Sequence, residues 1–175
     1  MNDSPTVGAT VHLVAPDGGT GTALASGFLT GPTTVLVPDP PRMLADPWAR
    51  YAVRIAAGGD VESVRVAGVS LAAAAVDGIR TAAAVLALVG PSRHAGDAAV
   101  AITLDALTDS LRRHRGDLWA AYAELGYPVA PPAGSAPSPA DLAPAWWLSL
   151  AGDDLSTFAQ GICCVTINCG GCPKK

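Results

Sequence analysis

Ala23-Leu24-Ala25-Ser26-Gly27-Phe28-Leu29-Thr30-Gly31-Pro32-Thr33-Thr34-Val35-Leu36-Val37 is the stretch whose reading decides the fold. It holds a strand-forming run from Ala23 to Leu29, a Gly31-Pro32 break, and a β-branched run from Thr33 to Val37. Gly-Pro punctuation between two apolar runs marks a turn joining two strands. Working outward, the same pattern repeats. Upstream, Val11 to Val14 precedes the turn signal Pro16-Asp17-Gly18-Gly19. Downstream, Tyr51, Val53 and Ile55 alternate with smaller or polar residues, the period of a strand with one buried face. That segment breaks at Gly58-Gly59-Asp60 and resumes from Val61 to Val69, and Ala83 to Val89 is a continuous apolar run suited to a buried strand. Short strands punctuated by Gly and Pro predict a mainly β domain over residues 1–100, a small antiparallel barrel or sandwich.

The period then changes. Leu104, Leu107, Leu111, Leu118, Trp119, Tyr122 and Leu125 recur at helical spacing, so residues 101–127 are expected to form an amphipathic helix. Thr103 suits its start, and Gly126 and Pro128 its end. Gly116, unfavourable inside a helix by about 1 kcal/mol relative to alanine, marks the place for a kink or a split into two helices. Residues 128–155 are rich in Pro, Ala and Ser, read as an extended linker carrying the Trp146-Trp147 pair. Residues 156–175 then contain all four cysteines of the chain and are expected to be a flexible tail.

Bulk composition narrows the function. Half of the 175 residues are hydrophobic, 15% are charged and the net charge is -4. An acidic chain lacks the basic face on which phosphate-backbone binding depends, so no nucleic acid is expected as partner. The first ten residues carry neither a positive segment nor an apolar one, and Asp77 and Arg80 interrupt the most apolar stretch, Ser70 to Gly90. No secretory signal and no membrane span are therefore expected, and the chain is read as cytoplasmic.

Ser26-Gly27-Phe28-Leu29-Thr30-Gly31-Pro32 followed by Val35-Leu36-Val37 resembles the trypsin-like serine peptidases of the chymotrypsin fold. That family has a Ser-Gly-Phe-Leu strand, a turn, and a Val-Leu-Thr-Ala-Ala-His segment bearing the catalytic histidine. Thr81 to Leu88 is similar to the family's Asp-Ile-Ala-Leu-Leu-x-Leu strand, which brings the catalytic aspartate. The resemblance implies half of a chymotrypsin-like fold, covering about the first barrel. It places Pro40 at the histidine position and Ala82 at the aspartate position, and no Gly-Asp-Ser-Gly-Gly segment follows. A hydroxyl nucleophile needs an adjacent base held by a third group. None of the three carries over, so no enzyme activity is expected. Serine peptidase activity would require a partner chain to complete the fold. His12, His94 and His114 are read as ordinary surface or half-buried histidines.

Three chemistries fit the cysteine segment. Thioether crosslinking needs a dehydrated Ser or Thr near a thiolate. Ser156 and Thr157 lie upstream of Cys163 and Cys164, and Thr166 lies between Cys164 and Cys169, with Cys172 beyond. Short spacing helps, because short loops close at low entropic cost. Cys164-Val165-Thr166-Ile167-Asn168-Cys169-Gly170-Gly171-Cys172 is similar to the Cys-Thr-x-Thr-x-Glu-Cys endings of mersacidin-like lanthipeptide precursors. That resemblance implies a modified core peptide at 156–175, and a folded leader that a peptide-modifying enzyme recognises. A leader-removing protease or exporter acts later, and the tail-derived product is the part exported, with antimicrobial peptides as the product class. Three hydroxyls would permit at most three rings. Metal binding is the second chemistry, since Cys164-x4-Cys169-x2-Cys172 has the local spacing of an iron–sulfur run. Two disulfides or free thiols are the third. The leading expectation is the precursor, with no cofactor. Trp146, Trp147, Trp119 and Tyr122 are its candidate docking residues, and core packing is the alternative for the helix. The second expectation is a pseudo-peptidase binding module with an incidental or metal-binding tail.

Overall fold

The computed structural model of the protein describes residues 7–14, 20–40, 51–76, 79–98, 102–129, 155–163 and 169–170. Six strands build the first half: β1 (Val7–Val14), β2 (Thr20–Gly31), β3 (Thr34–Pro38), β4 (Tyr51–Ala57), β5 (Asp60–Val76) and β6 (Ile79–Leu88). They form a closed antiparallel barrel in the order β1-β2-β3-β6-β5-β4. Closure depends on β1, which pairs on one side with β2 (Ala9 opposite Gly27) and on the other with β4 (Ala9 opposite Ile55). Of the two architectures left open by the sequence, the ring is the one that forms.

Local chemistry accounts for the strands. In β4 the large side chains Tyr51, Val53 and Ile55 are buried while Arg54 and Ala56 are exposed, the alternation of a strand with one face inward. The β4–β5 hairpin turns at Gly58 and Gly59, whose φ values of 57° and 87° are those a two-residue hairpin turn demands. β3 is buried at every position. Val35 and Val37 join Leu29, Tyr51, Val53, Ile55, Ala84 and Leu86 inside the barrel. Leu36 points the other way, into a second core shared with the helices. β6 is divided in the same manner, with Ala84 and Leu86 inward and Ala83 and Val85 toward the helices. Burial on both faces explains why these two strands read as continuous apolar runs.

A four-residue helix, α1 (Ala95–Ala98), and a two-residue strand, β7 (Ile102–Thr103), lead into α2 (Leu104–Arg113). Of the kink and the split that Gly116 left open within the helical segment 101–127, the split forms, giving α2 and α3 (Leu118–Glu124). Arg115 and Gly116 take φ values of 52° and 83° between them and end the first helix. A Cβ at Gly116 would approach the Arg80 carbonyl oxygen to 3.0 Å, so the turn is pressed against the start of β6. Each helix has its own cap. Thr103 Oγ1 accepts from the Ala106 N–H at 3.1 Å, and Asp117 Oδ1 accepts from the Ala120 N–H at 3.2 Å. Glu124 staples the corner: Arg113 donates two hydrogen bonds of 3.0 Å to its carboxylate, and the Ser110 hydroxyl donates a third. The Arg113 guanidinium and then Ser110 hold the Glu124 carboxyl down to about 2.

The largest correction concerns the segment read as a flexible tail. Leu155–Cys163 is a helix, α4, packed on α2 and β5. Leu155, Phe158, Ala159 and Ile162 are all at most 3% exposed and belong to the same core as Phe28, Leu36, Leu107 and Leu111. The folded body thus extends past the expected boundary at residue 155. Beyond it, β8 (Cys169–Gly170) pairs in parallel with β7. Among the described residues no helix is long and apolar enough to cross a membrane.

Candidate functional site: the cysteine segment and its anchor

α4 forms because Leu155, Phe158, Ala159 and Ile162 fall at i, i+3, i+4 and i+7, the spacing that gathers apolar side chains on one helix face. This signal was present in the sequence, and it identifies an element that reading by composition misses. Of the expected crosslinking residues, Ser156 is half-buried on α4 and Thr157 is exposed on it. Cys163 is the last residue of the helix. Cys164, Thr166 and Cys172 lie outside the described residues, and Cys169 is placed by its backbone, opposite Ile102. Gly170 stands opposite Thr103, the residue that caps α2. The chain is thus held to the body by α4 and again, at Cys169-Gly170, where α2 begins.

This placement separates the three hydroxyls. An enzyme that dehydrates Ser or Thr must seat the residue in its own active site. Ser156 and Thr157 stand on the helix whose Leu155 and Phe158 are buried in the core. Thr166 follows α4 in sequence and lies outside the described residues.

The four docking candidates also separate. Tyr122 is 1% exposed and is corrected from a docking surface to a core residue. Trp119 is half-buried and packs on the same cluster, with its ring centroid 4.9 Å from that of Phe28. Phe28 is equally 4.9 Å from Tyr122, which meets Tyr127 edge-on at 4.9 Å. Helical period reports that a face is apolar and not what covers it. Here the outer wall of the barrel covers it. The Tyr122 hydroxyl has no hydrogen-bond partner among the described residues, and burial pushes its phenol up from the usual tyrosine range. Trp146 and Trp147 lie outside the described residues.

The residue before Pro40 meets Ala82: the Asp39 N–H donates to the Ala82 carbonyl at 3.0 Å. Pro40 and Ala82 supply no proton-transfer group there. Asp39 takes a left-handed φ of 47°, and desolvation, with Asp117 adding repulsion, raises its carboxyl. His94 sits elsewhere, in a clamp between the loop after β6 and the β4–β5 hairpin. Its Nε2 is 3.4 Å from Asp60 Oδ2, and Arg93 pairs with Asp60 at 2.8 Å. Ser92 donates to the Glu62 carboxylate and accepts from the His94 backbone N–H at 3.1 Å. Ser92 Oγ is thus engaged in fastening the loop. His114 Nε2 is 3.2 Å from Glu124 in the helix corner. His12 lies in β1. Among the described residues no group of three His, Cys, Asp or Glu side chains is placed to hold a metal; of the iron–sulfur spacing, Cys164 and Cys172 lie outside that set and Cys169 is placed by its backbone alone.

Comparison with protein-family models and with curated proteins finds no match for this chain.

Proposed function

We propose that the chain is a precursor in which a folded body presents a cysteine segment, residues 164–175, to a peptide-modifying enzyme. In this reading the body is the leader, built on half of a chymotrypsin-like fold without catalytic residues. The observation that carries it is α4: four buried side chains tie the chain to the body as far as Ile162, and Cys164 to Cys172 follow directly. The crosslinking set expected from sequence shrinks accordingly. Ser156 and Thr157 belong to the anchor, which leaves Thr166 as the hydroxyl in reach of Cys164, Cys169 and Cys172.

The chemistry is a loss of water followed by an addition. Once the enzyme has activated the Thr166 hydroxyl, elimination removes it together with the α-proton and leaves an alkene. A thiolate adds to the β-carbon and the α-carbon takes a proton, so the thioether ring forms with the net loss of one water. Intact-mass measurement of the full chain, coexpressed with its neighbouring genes, tests this. The expected product lacks one water, localised to 164–172 by fragmentation, and Thr166→Ala abolishes the loss. An unchanged mass refutes the reading. Loss of three waters refutes the division of hydroxyls made by α4.

The pairing of Cys169-Gly170 with β7 favours a second reading, a non-catalytic peptidase-like binding module that keeps its own cysteine segment folded against it. That reading predicts no mass change, and capture of a peptide or protein partner by the intact chain.

A further inference from the structure

Under the precursor reading, a protease must eventually part the body from the cysteine segment, and the packing of α4 decides where that cut is productive. We propose that the α2/β5 groove is a binding site for the Leu155–Cys163 helix that does not depend on the covalent link. Release of the segment then requires hydrolysis beyond Ile162, and a cut anywhere in residues 130–154 leaves it bound.

The inference starts from the way α4 is attached. Twenty-five residues, 130–154, separate Val129 from Leu155, so the helix is not carried to its seat by a short connection. What holds it is the contact itself. Leu155, Phe158, Ala159 and Ile162 are buried against a surface made by α2 and β5. Ala72 of β5 lies opposite Gly161, 4.0 Å from where a Cβ would stand, so helix and strand approach closely along the last turn. An amphipathic helix lying in an apolar groove with anchors at i, i+3, i+4 and i+7 is a recognition mode that separate chains use. Cutting a tether removes the effective concentration it supplied but none of the contacts.

The reaction involved is ordinary peptide hydrolysis. Water adds across one amide, the C–N bond breaks, and a carboxylate and an amine result. A cut at or after Cys163 leaves the core filled and the segment held to the body only through the pairing of Cys169-Gly170 with β7. A cut before Leu155 yields a product that still bears α4 and remains seated.

The experiment inserts a specific protease recognition sequence between Ser135 and Ala136 of the full chain. The purified, unmodified protein is cut and passed over a size-exclusion column at low micromolar concentration. Both pieces are expected to elute together in equal amounts, and Phe158→Asp in the same protein is expected to separate them. Separation of the wild-type pieces, or co-elution unaffected by Phe158→Asp, overturns the proposal. Should Phe158→Asp fail to fold, Ile162→Ala takes its place. It is expected to raise the concentration at which the pieces part by at least tenfold, and no rise refutes the proposal. Because the protein is unmodified, this result stands apart from the mass measurement: loss of water can fail while retention holds, and the reverse.

Discussion

Phe158→Ala is the sharpest probe of the anchor. The ring is 1% exposed, among the largest fully buried side chains of the body, and shares its core with Phe28, Leu107, Leu111 and Ile162. Truncating a buried phenylalanine removes its transfer free energy and leaves a cavity that neighbours fill only in part, a cost of about 3–5 kcal/mol. For a body of this size each kcal/mol lowers the melting temperature by roughly 2–4 °C, so a drop of about 6–20 °C is expected. Thr157→Ala, one residue away on the exposed side of the same helix, is the control, and should stay within about 0.5 kcal/mol of the parent. Urea titration followed by fluorescence and far-UV dichroism gives both midpoint and slope. If 155–163 were a free tail, both substitutions would be silent. A Phe158→Ala protein within about 1 kcal/mol of the parent would refute the placement of α4, and with it the division of hydroxyls.

Other outcomes follow from single groups. Tyr122→Phe removes a buried hydroxyl that has no partner among the described residues. It should therefore be neutral or stabilising by about 1 kcal/mol, and a clear loss in the urea midpoint would show that the hydroxyl is satisfied. Asp39 has a raised carboxyl, so what it contributes to stability is present below its unfolded value and lost as pH rises. Asp39→Asn, which tolerates the left-handed backbone, should raise the melting temperature at pH 7 and lose that advantage near pH 3. Glu124 is the opposite case. Held down to about 2 from its ordinary 4.5, it stabilises the body above that ordinary value and ceases to do so as pH falls toward 2. Glu124→Gln should flatten the acid side of the stability profile, and an unchanged profile would argue against the Arg113–Glu124 staple.

Much of the barrel was legible because strand periodicity is local. The alternation at Tyr51, Val53 and Ile55, the Gly58-Gly59 turn and the apolar run from Ala83 to Val89 each report their own surroundings. Closure was not legible, since it rests on β1 meeting β4 some forty residues later, and nothing within either strand encodes its partner. The break at Gly116 was marked by the glycine itself. The anchor is the instructive miss. Leu155-x-x-Phe158-Ala159-x-x-Ile162 has the right period, but only over eight residues, shorter than a window in which periodicity separates helix from chance. It sits between a Pro-rich stretch and a cysteine cluster, whose compositions suggest chain without a core. Trp119 and Tyr122 show the complementary limit, because amphipathicity cannot tell a face that meets a partner from one that meets the protein's own sheet.

The two-sided strands explain why the helices belong to the body. A barrel needs only its interior filled, and Val35, Val37, Ala84 and Leu86 do that. Phe28, Leu36, Ala83 and Val85 face outward and would meet water if the barrel stood alone. Burying such side chains is worth roughly 1.5–3 kcal/mol for each large one, so the outer wall selects a cover. α2 and α3 supply part of it through Leu107, Leu111, Leu118 and Tyr122, and α4 completes it through Phe158 and Ile162. Stripping α4 away would reopen the layer that makes the barrel wall apolar on both sides. The same burial that makes β3 and β6 easy to recognise therefore draws α4 into the body as far as Ile162.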